Sequence, residues 1–166
     1  MRQHAARRSN SSGFTLAELI VVVVILAVAA GMVVPYAIST SDLSVVSAAR
    51  ILAADLEYAQ NLAITTQQSV IVSFDVANET YSLSNASGVL DHPINKRPYV
   101  VSFPSLRGFE GVNVVSAGYG GQAEVTFDVV GSPDDGGTTV LQAGAHTYVV
   151  SVAPATGRVT VSPVGS

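Results

Sequence analysis

The sequence predicts an α+β fold, in which one long N-terminal helix precedes an antiparallel β-domain, within a chain of 166 residues. Residues 19–41 contain no charged side chain, and apolar residues then recur every three or four positions as far as residue 66. After Gln67 the period changes to two and β-branched residues dominate. Helices and strands do not alternate, so the pattern argues against a parallel βαβ sheet.

The composition excludes several kinds of chemistry. Only 12% of the residues are charged, against about 25% in an ordinary soluble domain. The chain has no cysteine, which excludes a disulfide, a thiolate nucleophile and a cysteine-ligated zinc. The three histidines, His4, His92 and His146, are far apart in the sequence, which argues against a histidine-rich metal site.

The apolar residues are concentrated near the N-terminus, where 18 of the 20 residues from 19 to 38 are apolar. As a helix, residues 19–41 extend about 34 Å, which matches a bilayer core of about 30 Å. A cleaved secretory signal is one alternative, but its apolar region is about 7 to 15 residues long and ends in small residues. Here the small residues 27–31 lie inside the apolar run. A generic single-pass anchor is the other alternative.

Charge is distributed unevenly along the chain. Residues 1–13 carry a charge of +3, from Arg2, Arg7 and Arg8, whereas residues 42–166 carry −6. The positive-inside rule therefore places the N-terminus in the cytoplasm and residues 42–166 outside. The acidic balance of the C-terminal part disfavours binding to nucleic acid.

Two residues are unusual for a generic anchor. Glu18 lies at the start of the hydrophobic segment, where an ionised carboxylate at membrane depth is costly and points to a function. Pro35 lies late in the helix, where it removes a backbone donor and allows a kink.

Gly13, Phe14, Glu18 and Pro35, arranged around the apolar run, resemble the N-terminus of a type IV prepilin or pseudopilin. The resemblance implies that a prepilin peptidase cuts between Gly13 and Phe14 and methylates the new amino terminus. Residues 1–13 are then a cleaved leader and 14–41 the transmembrane and assembly half of the helix. Residues 42–166 form the extracytoplasmic domain. The expected location is the bacterial inner membrane, in contact with its lipid, and a pseudopilus or pilus after assembly.

The resemblance also implies a partner for Glu18. In this family the carboxylate pairs with the α-amino group of Phe14 on a neighbouring subunit, and this contact sets the axial stagger of the filament. A buried carboxylate is tolerated when it is paired. Gly31 and the neighbouring alanines allow close approach of helices, so the expected partners are other pseudopilins or pilins.

The second half of the helix shows an apolar stripe that we expect to pack on a sheet. We predict one kinked helix from about residue 16 to about residue 66, with a break at residues 39–42 as the alternative. Arg50, Asp55, Glu57 and Gln60 fall mostly off the stripe. Its members are Val45, Ala49, Leu52, Leu56, Ala59 and Ala63.

Eight strands are predicted after the helix, separated by turn residues. The segment 85–98 is the longest predicted irregular loop, with His92 inside a loop and His146 at the start of a strand. The predicted strands are residues 69–76, 80–84, 99–103, 112–116, 123–129, 138–143, 147–152 and 158–162.

This C-terminal part is similar to the GspH/FimT-type minor pseudopilins, mainly at Phe127, Gly131, Gly157 and Arg158. That resemblance implies either a subunit of the type II secretion pseudopilus, concerned with protein export, or a minor type IV pilin for pilus assembly or DNA uptake. Some relatives bind DNA through a Gly-Arg-x-Arg element. Thr160 replaces the second arginine here, so Arg158 is at most a weak DNA contact and the secretion role is favoured.

No convergent catalytic group is recognisable in the sequence, so we expect neither an enzyme nor a cofactor. Asp134 and Asp135 lie in a turn between Pro133 and Gly136, where aspartate is common for backbone reasons. Aspartates in such a turn can also bind calcium, but the usual spacing of calcium ligands is absent here. Whether this turn binds calcium is left open. A membrane-anchored periplasmic enzyme or binding domain is the alternative from another class, and it would be indifferent to the loss of Glu18.

Overall fold

The computed structural model describes residues 15–165, with side chains for residues 15–29 and 43–165. The chain divides into two compact units between Ile38 and Ser39. Helix α1 begins at Leu16 in the first unit and ends at Thr66 in the second. The predicted extent of the helix is therefore confirmed. The alternative break at residues 39–42 is wrong, because these residues are helical.

In the second unit, the predicted apolar stripe of α1 forms one side of the core. The stripe is buried because its three- and four-residue spacing places all its members on one face. Ala48 is buried beside them. The six predicted members, Val45, Ala49, Leu52, Leu56, Ala59 and Ala63, are all fully buried.

Two antiparallel sheets make up the rest of the second unit. In the first sheet the strand order is β3-β2-β1-β6, with β4 also paired to β2, and in the second it is β5-β7-β8-β9. A short 3-10 turn, Phe103–Ser105, follows β4. The strands are β1 Val70–Asp75, β2 Thr80–Asn85, β3 Gly88–Val89, β4 Val100–Ser102, β5 Asn113–Tyr119, β6 Glu124–Phe127, β7 Gly137–Ala143, β8 His146–Val152 and β9 Val159–Pro163.

Four parts of the strand prediction are wrong. The predicted strand 123–129 shortens to β6, because the chain turns after Phe127. Residues 85–98 are not wholly irregular, because a tight turn after Asn85 returns the chain as β3, which pairs with β2. The predicted strand 99–103 shortens to β4, since Phe103 begins the 3-10 turn. Strand β5 continues beyond residue 116 to Tyr119, and a bulge between Val114 and Ser116 interrupts the alternation that would have revealed it.

The buried apolar side chains form one cluster, and all of those described lie between Val45 and Val152. They come from α1, from both sheets and from the connecting segments, with aromatic residues such as Tyr81 and Phe127 at the centre. The second unit therefore contains its own hydrophobic core.

Candidate functional site

Helix α1 begins with a side-chain cap. The hydroxyl of Thr15 accepts a hydrogen bond from the backbone N–H of Glu18 at 3.2 Å. Glu18 is the acidic residue of the first turn, where the helix dipole favours a negative charge. Sequence reasoning overlooked Thr15, although threonine three residues before glutamate at a helix start is the spacing of a capping box.

The apolar residues that follow are exposed within the first unit. The large apolar side chains from Leu16 to Val28 are between 45% and 77% exposed. A helix that is apolar all round is normally covered by protein or lipid. Across the side chains that the structure describes, no helical stretch has the length and apolarity needed to cross a membrane.

Two of the predicted site residues lie outside the described part of the chain, and a third is described only by its backbone. Gly13 and Phe14 lie outside the described residues. Cleavage between them and the new amino terminus at Phe14 therefore remain predictions. Pro35 lies within α1, but its side chain is outside the described set. The pairing of Glu18 with a neighbouring terminus therefore stays a prediction too.

Two of the four residues that carried the C-terminal resemblance, Gly131 and Gly157, lie against the last turns of α1. The side-chain amide of Gln60 donates hydrogen bonds to the carbonyl oxygens of Gly131, at 2.7 Å, and Thr156, at 3.0 Å. Gly131 and Gly157 both have positive φ, +82° and +66°, and a Cβ on either would collide with side chains of α1. Glycine is needed here for both conformation and space.

Arg158 follows this junction, and its side chain is exposed. Its backbone carbonyl accepts a hydrogen bond from Ala153 at 2.9 Å, which closes the turn between β8 and β9. The predicted DNA contact is thus accessible, and Thr160, in the position of the missing second cation, is exposed as well.

A polar cluster that sequence reasoning missed surrounds Asp55. Its carboxylate accepts hydrogen bonds from the hydroxyls of Tyr81, at 2.6 Å, and Tyr99, at 2.9 Å. Burial raises the pKa of the Asp55 carboxyl, and the two hydrogen bonds and the nearby His92 oppose the rise. Burial and the Asp55 carboxylate raise the pKa of both tyrosines. In the sequence Asp55 only falls mostly off the apolar stripe. Its tyrosine partners are 26 and 44 residues away, so no local pattern predicts the cluster.

Asp134 and Asp135 lie in the turn that follows β6. One carboxylate oxygen of Asp134 accepts hydrogen bonds from the backbone N–H groups of Thr126 and Asp135, both at 2.9 Å. This is the turn-stabilising role that favours aspartate at such positions. Among the described side chains, residues 15–29 and 43–165, no group of three histidine, aspartate or glutamate residues is arranged to hold a metal ion.

The helix packed on antiparallel sheets and the motif around Glu18 define a type IV pilin-like protein. The prokaryotic N-terminal methylation motif matches residues 8–34. The family described as Type II transport protein GspH matches residues 48–165, most of the chain. The chain belongs to that family, and with it to the minor pseudopilins. No curated protein sequence matches the chain.

Solved structures share this fold at low sequence identity. Two structures of the minor pseudopilin EpsH from the type II secretion system of Vibrio cholerae are 14% and 15% identical to this chain, with TM-scores of 0.56 and 0.57. The matches cover 74% and 75% of this chain and 99% and 98% of theirs. The type IV minor pilin FimU of Pseudomonas aeruginosa is 22% identical, with a TM-score of 0.50, over 72% of this chain and 88% of its own.

Proposed function

We propose that this minor pseudopilin is a structural subunit of the type II secretion pseudopilus, held in the inner membrane until it assembles. The observation that carries the proposal is the exposed apolar start of α1, with one carboxylate, Glu18, in its first turn. Lipid would cover this surface before assembly, and the helices of other pseudopilins would cover it afterwards. The role is structural, with no catalytic step.

Processing comes first in the proposed sequence of events. A prepilin peptidase removes residues 1–13 by cutting between Gly13 and Phe14 and then methylates the amino group of Phe14. The leader is basic and lies on the cytoplasmic side, so its removal leaves residues 14–41 in the bilayer. Residues 42–166 lie in the periplasm, and Pro35 allows the membrane half of α1 to bend.

Mass spectrometry of the protein from its native membrane tests the processing step. Removal of 13 of the 166 residues predicts a chain of 153 residues that begins at Phe14 and carries one added methyl group. An intact Met1 start, or a cut near Gly31, would contradict the proposal.

The second step is assembly, in which Glu18 pairs with the amino terminus of Phe14 on a neighbouring subunit. An alternative role for Glu18 is local, because an acid in the first turn stabilises its own helix. The two roles differ in their need for charge. Glutamine can still serve at this position of a capping box, but it cannot neutralise a buried ammonium group.

Glu18→Gln therefore separates assembly from capping. We expect Glu18→Gln and Glu18→Leu both to abolish cross-linking to other pseudopilins in membranes, while processing continues. Glu57→Gln, which changes an exposed glutamate on the same helix, is the matched control and should assemble normally. Normal assembly of Glu18→Gln would reduce Glu18 to a capping residue, and normal assembly of Glu18→Leu would favour the anchored-enzyme alternative.

A minor type IV pilin is the second candidate, favoured by the likeness to FimU and by the exposure of Arg158. If this chain takes up DNA, Arg158→Ala should weaken DNA binding. The slope of the logarithm of the binding constant against the logarithm of salt concentration should then fall in magnitude by about 1, the value for one lost phosphate contact. We expect no measurable DNA binding at physiological salt, because residues 42–166 carry a net charge of −6. Arg107→Ala is the control, because it removes a cation that lies outside the Gly-Arg-x-Arg-like element at residues 157–160.

A further inference from the structure

We propose that the open edge of the first sheet, along β4, binds an extended segment of another protein in which apolar and acidic side chains alternate. The segment lies parallel to β4 and fills the groove between this strand and α1. This site is separate from the processing and assembly site at the N-terminus. It is carried by free backbone groups on β4, by the groove, by exposed apolar side chains and by the distribution of basic residues.

β4 is an edge strand, because β2 is the only described strand that pairs with it. Hydrogen bonds of 3.1 and 3.3 Å join Tyr99 and Phe103 to β2, so the antiparallel alternation points the backbone groups of Val100 and Ser102 outward. The N–H of Val100 already donates to Pro98 at 2.7 Å. The carbonyl of Ser102 serves the 3-10 turn, of which Ser102 is the N-cap. The carbonyl of Val100 and the N–H of Ser102 are left facing outward, with no partner strand among the described residues.

These two outward groups match a parallel partner strand. In a parallel ladder, a carbonyl and the N–H two residues later bind the N–H and the carbonyl of a single residue on the partner. An antiparallel partner would instead need both groups of Val100 or both groups of Ser102, and one group of each is already used. Strand addition at a free edge is a general mode of peptide recognition, in which backbone bonds give affinity and side-chain pockets give specificity.

A groove of about 530 Å³ lies beside this edge. Ile51 of α1, Val101 of β4 and Leu106 give it an apolar lining, to which Asp55 adds a carboxylate. The residue of the added strand that binds both outward groups lies opposite Val101 and points to the same face. This is the face of α1, because the hydroxyl of Tyr99, two residues before Val101, binds Asp55. An apolar side chain fits there, whereas an acidic one would meet the like charge of Asp55.

Apolar side chains are exposed along the same edge. Val89 on β3 and Val100 on β4 are both 52% exposed, and Ile94 in the connecting segment is 86% exposed. An edge strand with exposed apolar residues is normally covered or protected against pairing. A cluster of such residues therefore marks this edge as a binding surface.

Basic residues of the second unit are concentrated next to the groove. The segments 50–55 and 91–107 supply its whole lining and contain four of the five basic residues between 42 and 166. The four are Arg50, Lys96, Arg97 and Arg107, all of them exposed. The same segments hold two acidic residues, Asp55 and Asp91, whereas the rest of 42–166 has nine acidic residues and one basic residue. Acidic side chains that point away from the groove are therefore attracted to this edge and repelled by the remainder of the unit.

Peptide binding to the full-length protein in detergent micelles tests the proposal. The probe is a fluorescently labelled peptide of about seven residues, an ordinary strand length, in which glutamate and valine alternate. Fluorescence anisotropy should show saturable binding, and a peptide with lysine in place of glutamate should bind about tenfold more weakly. Basic residues beside an edge can instead serve only to block pairing. Absence of saturable binding, or equal binding of the two peptides, would overturn the proposal.

Methylation of the peptide backbone tests the parallel pairing. Methyl groups on the valine nitrogens remove the N–H groups that face β4, so they should abolish binding. Methyl groups on the glutamate nitrogens lie on the other side of the added strand, so this matched peptide should bind like the unmodified one. Equal losses with the two peptides, or loss only with the methylated glutamates, would disprove the parallel arrangement.

Charge reversal in the protein locates the binding site. Arg97→Glu and Arg107→Glu should each lower the affinity for the glutamate peptide by about fivefold at low salt. Arg158→Glu makes the same change of charge on an exposed residue before β9 of the other sheet, and it should leave the affinity unchanged. Equal losses in all three variants would mean that the peptide responds only to net charge, which would overturn the assignment of this edge.

Discussion

The side-chain nitrogen of Gln60 lies 2.7 Å from the carbonyl oxygen of Gly131 and donates a hydrogen bond to it. The same nitrogen donates to Thr156 at 3.0 Å. The turn containing Gly131 follows β6 of the first sheet, and the turn containing Thr156 joins β8 to β9 of the second. One amide on α1 therefore links both sheets to the helix.

Gln60→Ala should destabilise the second unit by about 2 kcal/mol, because it leaves the carbonyl of buried Gly131 without its partner. The measurement is urea unfolding of residues 39–166, which contain the whole described core. Glu57→Ala, one turn earlier and exposed, is the control and should change stability by about 0.5 kcal/mol or less. Equal losses in the two variants would contradict this role for Gln60.

Gly157→Ala should destabilise the unit by about 1 to 3 kcal/mol, because the new methyl group would meet the Gln60 side chain and a positive φ disfavours alanine. Gly111→Ala is the control, since a Cβ at that glycine has no neighbour within 4 Å. Chemical denaturation of both variants measures the difference. If Gly157→Ala left the free energy of unfolding unchanged, the junction at the end of α1 would be able to accommodate the extra methyl group.

Asp55 predicts an unusual pH dependence. Burial raises its folded-state pKa above the ordinary value of 3.8, so its stabilising contribution is complete below that pH. The contribution is lost as the pH rises through the raised pKa, because the folded chain binds the proton more tightly than the unfolded chain. Asp75 and Glu110, whose pKa values are lowered by hydrogen bonds, act in the opposite direction.

Comparison with Asp55→Asn isolates this contribution, because Asp75 and Glu110 are unchanged in the variant. The unfolding free energy of the natural protein, minus that of Asp55→Asn, should fall as the pH rises from below 3.8 towards neutrality. A difference that is flat or rises with pH would show that the hydrogen bonds from tyrosine outweigh the cost of burial.

Tyr81→Phe should lower the unfolding free energy by about 2 kcal/mol at neutral pH, because it removes the hydroxyl that donates a 2.6 Å hydrogen bond to the Asp55 carboxylate. The cost should decrease at acid pH, where Asp55 is protonated and its hydrogen bonds are weaker. Tyr148→Phe, at a half-buried position on β8, is the matched control. A cost that does not change with pH would disprove the link between this hydroxyl and the charge of Asp55.

Sequence periodicity was sufficient to predict the elements whose residues repeat regularly. The stripe from Val45 to Ala63 was correct at every predicted position, because a helix fixes which residues share a face. Periodicity failed at β5, where the bulge beside Val115 changes the alternation, and at β3, which is too short to show a period. Thr15 was detectable from its spacing to Glu18.

The order of residues along the chain was enough to predict the α+β class, the apolar N-terminal segment with its lone carboxylate, and the motif residues typical of the family. The packing of the folded chain was needed to show that Gln60 joins two turns 25 residues apart and that Asp55 is shared by two tyrosines. The physical reason is that local periodicity records which face of an element is apolar. Contacts between distant residues depend on how the elements pack, and no repeat in the sequence encodes that packing.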